Sequence, residues 1–152
     1  MAVEYTAVAE QVVTAGSNVL FTEDVIPCRK GYVEHRRGSG LIELRGITSN
    51  CKARYAVTYS GNIAPAATAD GGVLGEVAVA LSINGEPVLS SLRRVTAAAV
   101  EQYGSVSATE IIDVARGTTL TIAVKNVSEG TATTAASAID TQNFSIAIER
   151  LA

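Results

Sequence analysis

The chain has no tryptophan, one histidine, one methionine, two cysteines and two phenylalanines among its 152 residues, and each scarcity removes a class of function. With His35 alone, a Ser/His/Asp triad must be built around that one residue, and a metal site with two histidine ligands is impossible. Flanked by Glu34 and Arg36 on a short strand, His35 reads as a surface residue. No Cys-x-x-Cys pair occurs, so Cys28, Cys51 and His35 give at most three zinc ligands where a structural site needs four. Gly38-Ser39-Gly40 lacks the strand-turn-helix frame of a nucleophile elbow. Gly71-Gly72 is not followed by the Gly-Lys-Ser/Thr of a phosphate loop. The acidic residues are scattered and none is singled out as a pair for acid/base work. The turn carboxylates Glu23, Asp24, Asp70, Asp113 and Asp140 read as partners of their own backbone rather than as calcium ligands. The expectation is a protein that is not an enzyme and has no catalytic, cofactor-binding or metal-binding residues.

Long apolar runs are also missing. Nothing approaches the roughly 18 consecutive apolar residues that a membrane helix needs, and MAVEYTAVAEQ is not the basic-then-apolar start of a secretory leader. No membrane partner is expected, and the protein reads as one made in the cytoplasm. In that compartment Cys28 and Cys51 are expected as free, buried thiols. The alternative, a bond between them, would contribute on the order of 3 kcal/mol.

The net charge of −3 argues against nucleic acid as a general partner. The charge is unevenly placed, however. From Cys28 to Arg54, seven basic residues face two acidic ones, a local net of +5 against −8 elsewhere. Arg29, Lys30, Arg36 and Arg37 are the candidate basic docking surface for an acidic neighbour; the alternative is an ordinary solvated face.

What the chain does contain is valine, isoleucine and threonine in alternation, broken by turn residues, which is the pattern of an all-β domain. Strands are expected at Ala7–Val13, Val19–Phe21, Val25–Pro27, Tyr32–His35, Leu41–Leu44, Arg54–Ile63, Glu76–Ile83, Ser107–Val114, Thr119–Val127 and Thr141–Leu151. Asn84-Gly85 supplies two residues suited to positive φ, the signature of a tight hairpin. The 64–75 and 128–138 stretches read as loops. Residues 1–6 are expected to form an amino-terminal arm in which Val3, Glu4 and Tyr5 reach a partner, ahead of a single domain over 7–152.

Opposite their large apolar faces, several strands carry small uncharged residues. A solvent-washed face usually carries Lys, Glu and Arg, so Ser145, Ala147, Ala78, Ala80, Thr121 and Ala123 are the candidate subunit interface.

The order and character of these segments resemble the jelly-roll heads of the tumour-necrosis-factor and complement-C1q superfamily. The carrying stretches are Asn18-Val-Leu-Phe21, Gly31-Tyr-Val33, Gly40-Leu-Ile-Glu-Leu44, Tyr55-Ala-Val-Thr-Tyr59, Glu76-Val-Ala-Val-Ala-Leu81, Thr119-Leu-Thr-Ile-Ala-Val124 and Phe144-Ser-Ile-Ala-Ile148. Within that superfamily, CRKGYVEHRRGSGLIELRGI followed by CKARYAVTYSGNIA is similar to small C1q-like proteins encoded by bacteriophages and prophages of gut bacteria. The resemblance implies a β-sandwich of about ten antiparallel strands, a homotrimer, and a place on the virion surface as a capsid decoration or head-fibre protein. It also leaves a rival role, the receptor- or glycan-binding tip of a fibre or a bacterial adhesin, with a host-surface glycan as partner. The animal members' collagen-like stalk and aromatic-rich head end are absent, so signalling and complement roles are not implied.

Overall fold

The computed structural model describes residues 1–66, 76–97, 99–129 and 138–152. It is all β. In chain order the strands are β1 (Ala2–Ala7), β2 (Gln11–Val13), β3 (Glu23–Ile26), β4 (Val33–His35), β5 (Ile42–Arg45), β6 (Lys52–Pro65), β7 (Glu76–Ile83), β8 (Glu86–Pro87), β9 (Arg93–Thr96), β10 (Gly104–Ala115), β11 (Thr119–Asn126) and β12 (Ile139–Arg150), with one 3₁₀ turn at Leu89–Ser91. One sheet has the order β10-β6-β12-β1-β3, with β2 also on β12; the other runs β4-β5-β11-β7-β8, with β9 also on β7. Every pairing is antiparallel.

Alternation builds the core. Val77, Val79 and Leu81 of β7 and Ile122 and Val124 of β11 meet Tyr55, Val57 and Tyr59 of β6 and Phe144, Ile146 and Ile148 of β12, all buried. Two phenols must find partners inside this apolar layer, since an unpaired buried hydroxyl costs about 1–3 kcal/mol. Tyr55 donates to the Arg45 carbonyl at 2.6 Å, and Tyr59 donates to the Ser91 carbonyl. The Asn84-Gly85 hairpin forms as expected, with φ of 51° and 87°.

The closing strand is less regular than its alternation implies. Its pairing with β6 shifts between Gln142 and Ser145, so Asn143 and Phe144 together oppose Gly61. This is a β-bulge, with Asn143 at φ 50°. It explains why Ile139 and Thr141 are buried before the bulge and Phe144 and Ile146 after it. The bulge also splits β12's other partner: β1 pairs with 144–149, β2 with 139–141, and Asn143 N–H donates to the Val8 carbonyl between them.

That split corrects three expectations. Ala7–Val13 is not one strand, because the chain steps over the bulge at Val8–Glu10. Residues 1–6 are not a free arm either. Ala2–Ala7 lies between β12 and β3, with Val3 and Tyr5 buried in the core and the Glu4 backbone paired to Ala147 and Ile26. Val19–Phe21 forms no strand; Asn18 alone bridges to Lys125. Ala64 and Pro65 extend β6 into what reads as a loop, while 67–75 and 130–137, the rest of both expected loops, lie outside the described residues.

Candidate functional site

The outward face of the larger sheet is the most distinctive surface. Register places Ser107, Ser60, Ser145 and Thr6 in one row across β10, β6, β12 and β1. The next row holds Thr109, Thr58, Ala147 and Glu4, and the row beyond it Ile111, Ala56, Glu149 and Ala2. Across β10 and β6 the rows carry no charge. Their hydroxyls bond to one another: Thr58 Oγ1 to Thr109 Oγ1 at 2.7 Å, Ser60 Oγ to Ser145 Oγ at 3.2 Å. Ser105 donates to Asn62 at 2.9 Å. With these groups satisfied internally, burying the face strips little water from unpaired polar atoms. Ile111 adds an apolar side chain left 55% exposed. On these two strands charge begins below, where Asp113 is clamped by Arg54 at 2.7 Å and Lys52 at 2.6 Å; on β12 and β1 Glu149 and Glu4 flank the rows. Hydrogen bonds from Arg54 and then Lys52 hold that carboxyl well below its usual range.

The structure separates the six candidate interface residues. Ser145 (half-buried) and Ala147 (exposed) lie on this face, but Ala78, Ala80, Thr121 and Ala123 belong to the other sheet. Ala78, Ala80 and Ala123 are already buried within the single chain, which removes them as contact residues. Lys125, opposite Ala80, sends its Nζ to the Gly85 carbonyl at 3.0 Å. Ser128 Oγ accepts the Ala78 N–H at 3.0 Å. Thr121 stays half-buried.

The basic segment divides in two. Arg45 pairs with Glu34, and Lys52 and Arg54 pair with Asp113. Arg29, Lys30, Arg36 and Arg37 are exposed and form no ion pair among the described residues, two preceding the three-residue β4 and two following it. Cys28 is half-buried, Cys51 exposed, and both are free; the expected burial therefore fails for Cys51. Burial would push the Cys28 thiol up, but the N–H groups of Val33, Lys30, Tyr32 and Gly31 outweigh it and hold the thiol below its ordinary value.

His35 reverses its surface reading. Its side chain is fully buried, because the ring turns inward against Tyr5, with centroids 4.4 Å apart. Nδ1 lies 2.8 Å from Asp24 Oδ1 and Nε2 2.8 Å from the Ser39 carbonyl. Both nitrogens are engaged, so neither offers a lone pair to Cys28 or to a substrate.

A second group of side chains is unannounced by any motif. Glu10, Glu101 and the buried Asp140 bring carboxylate oxygens within 4.8 Å of one another, with Glu101 at φ 59°. The three come from the bend after β1, the turn before β10 and the start of β12, and no local spacing could have joined them. Burial, then the charges of Glu10 and Glu101, push the Asp140 carboxyl up; burial, then the charges of Glu10 and Asp140, raise Tyr103 to about 12. A carboxyl raised in the folded state binds its proton more tightly there than in the unfolded chain, so stability falls as pH rises above the ordinary carboxylate value of about 4. Asp140→Asn is expected to flatten that fall and to raise the thermal midpoint at pH 7 by a few degrees; melts from pH 4 to pH 7 check it, and an unchanged slope would refute it.

No protein-family model matches the chain, and no curated protein does. Solved structures do match. The Eiger TNF of S. frugiperda aligns over 100% of this chain and 92% of its own, with a TM-score of 0.66 and 11% identity. The globular domain of zebrafish complement 1qA aligns over 95% and 94%, with a TM-score of 0.59 and 10% identity. Murine APRIL aligns over 99% and 98%, with a TM-score of 0.59 and 12% identity. The fold is a TNF/C1q-like jelly roll. At such identities the likeness carries the architecture of this jelly roll and nothing of what those proteins bind.

Proposed function

We propose that this TNF/C1q-like jelly roll is a non-enzymatic structural protein that assembles as a homotrimer and decorates a phage capsid, as an auxiliary head or head-fibre protein on the virion surface. One observation carries the self-association: the two uncharged, internally hydrogen-bonded rows over β10, β6 and β12 (Ser107, Ser60, Ser145 and Thr109, Thr58, Ala147), with Ile111 exposed at their margin. Placement on a virion rests on the sequence resemblance to phage-encoded C1q-like proteins. The occupied nitrogens of His35, the chain's one histidine, support the non-enzymatic part. Arg29, Lys30, Arg36 and Arg37, without an ion pair among the described residues, are the contacts proposed for an acidic neighbour such as a capsid protein; the arm proposed from Val3, Glu4 and Tyr5 is not retained, since those residues are strand.

Sedimentation equilibrium of the purified protein at micromolar concentration is expected to return three times the chain mass. A stable monomer there would overturn the assembly. For the role, the polypeptide is expected in purified particles at a multiple of three per attachment site, and its absence from particles would overturn the decoration. Binding to cell-surface glycans by a protein absent from capsids would favour the recognition role instead.

A further inference from the structure

We propose that the 3₁₀ turn at Leu89–Ser91 supplies the second half of the subunit contact: Leu89 and Arg93 of one copy dock on the surface formed by Ile111, Ala56 and Ala147 of the next copy, beside its Glu4 and Glu149. This contact presupposes the trimer proposed above. A ring of three has no twofold axis, so its contact cannot be one surface meeting itself, and each copy must offer two different surfaces. The outer face of the larger sheet is one of them. Two surfaces on opposite sides of a molecule propagate into an open filament, whereas adjoining ones close into a small ring. The second surface should therefore border the first, and the turn does. It lies against β10, with Ser90 Oγ donating to Glu110 at 2.7 Å and Arg93 Nε donating to the Ser107 carbonyl at 2.9 Å.

The turn presents the most exposed large apolar side chain among the described residues, Leu89 at 78%. It also holds that side chain on a fixed backbone. Ser91 is fully buried; its Oγ accepts the Leu81 N–H at 2.8 Å and donates to the Val88 carbonyl at 2.6 Å. Arg93 Nη1 donates to the Ser90 and Leu92 carbonyls at 3.1 and 2.9 Å. A leucine held out to water on a backbone already ordered gives up little further freedom on docking, which favours it as an anchor.

The receiving surface complements it. Ala56 stands opposite Ile111 on β10 and Glu149 on β12, and Ala147 opposite Thr58 on β6 and Glu4 on β1. Two alanines beside an exposed isoleucine make a shallow apolar floor with carboxylates along one side. Among the described residues neither Glu4 nor Glu149 forms an ion pair, and neither does Arg93, which is held by carbonyls alone. One surface thus sets an unpaired cation beside an apolar knob, and the other sets unpaired anions beside an apolar floor. With Leu89 seated, the guanidinium, bonded to the neighbouring Ser90 carbonyl, meets those carboxylates at the rim, where opposite charges fix register more than they add affinity.

The test uses two full-length variants and sedimentation. Leu89→Asp disables the turn and leaves the receiving surface; Ala147→Arg does the reverse. Each alone is expected to fall from trimer to monomer, a threefold loss of mass, with an unchanged circular dichroism spectrum. Mixed in equal amounts at high micromolar concentration, the two are expected to form pairs of twice the chain mass and nothing larger, because one intact turn then meets one intact surface. Variants of a single self-complementary surface could not rescue each other in this way. Trimer mass retained by Leu89→Asp, or a mixture that stays monomeric, would overturn this contact while leaving the trimer standing. A native chain that is itself monomeric would overturn the trimer, and the contact with it. Should Leu89→Asp not fold, Leu89→Ser takes its place in the same mixture.

Discussion

Phe144→Ala is expected to destabilise the domain by about 3–5 kcal/mol, the range for deleting a buried aromatic, and Gly61→Ala by about 1–3 kcal/mol from overpacking. The two losses should not add. The Phe144 ring is stacked on Tyr59 at a centroid separation of 6.0 Å and 12° between planes, with Phe21 at 6.4 Å on another side. A β-carbon on Gly61 would sit 2.2 Å from the ring, and the ring, held by two aromatics, has nowhere to move. Removing the ring frees the space a methyl at Gly61 needs. In the double variant the Gly61→Ala penalty should therefore largely vanish, an interaction energy within the range of about 0.5–3 kcal/mol seen for touching residues. Urea unfolding of the four proteins measures the cycle, and strict additivity would show that the bulge tolerates the clash by another route.

Ala147→Arg should convert the proposed trimer to monomer, a threefold drop in mass, with little change in the stability of the isolated chain. Ala147 is exposed and its backbone is already paired to Glu4 and Thr58, so the chain alone accommodates the longer side chain within about 0.5 kcal/mol. A symmetric assembly repeats the substitution in every copy. Each brings a bulky guanidinium into a close contact, where even with Glu4 beside it an ion pair taken out of water costs more than it returns. Thr14→Arg, exposed in the turn after β2, is the control and should leave the mass unchanged. Trimer mass retained by Ala147→Arg would move the interface off this face.

What the sequence disclosed tracks how local each decision is. The β7 to β8 hairpin is legible because Asn84-Gly85 and the flanking alternation lie within a few residues. The existence of β10, the identity of β11 and the small face of β12 are readable for the same reason, though β10 runs over Gly104–Ala115 where only Ser107–Val114 is expected. The break between β1 and β2 is not, because it answers a bulge at Asn143 more than 130 residues away. His35 is misread because the Asp24 strand and the 36–40 turn, not its own neighbours, decide whether it meets water. Ala78 and Ala123 look like contact residues, since smallness shows in sequence but their burial within the single chain does not. The acidic trio has no sequence signal at all.

The placement of β12 has a bearing on how the chain is made. It is the central strand of its sheet, with β6 on one flank and β1 and β2 on the other, and its partners in β1 begin at Ala2. Until residues 139–150 have cleared the ribosome, the inner edges of all three have nothing to pair with, and the buried side of β6 has only half its core. Such pairings between distant parts of a chain close slowly. The larger sheet should therefore close only once these residues are free of the ribosome, and a nascent chain stalled before Ile139 should leave residues 2–13, the β1 and β2 segments, open to protease.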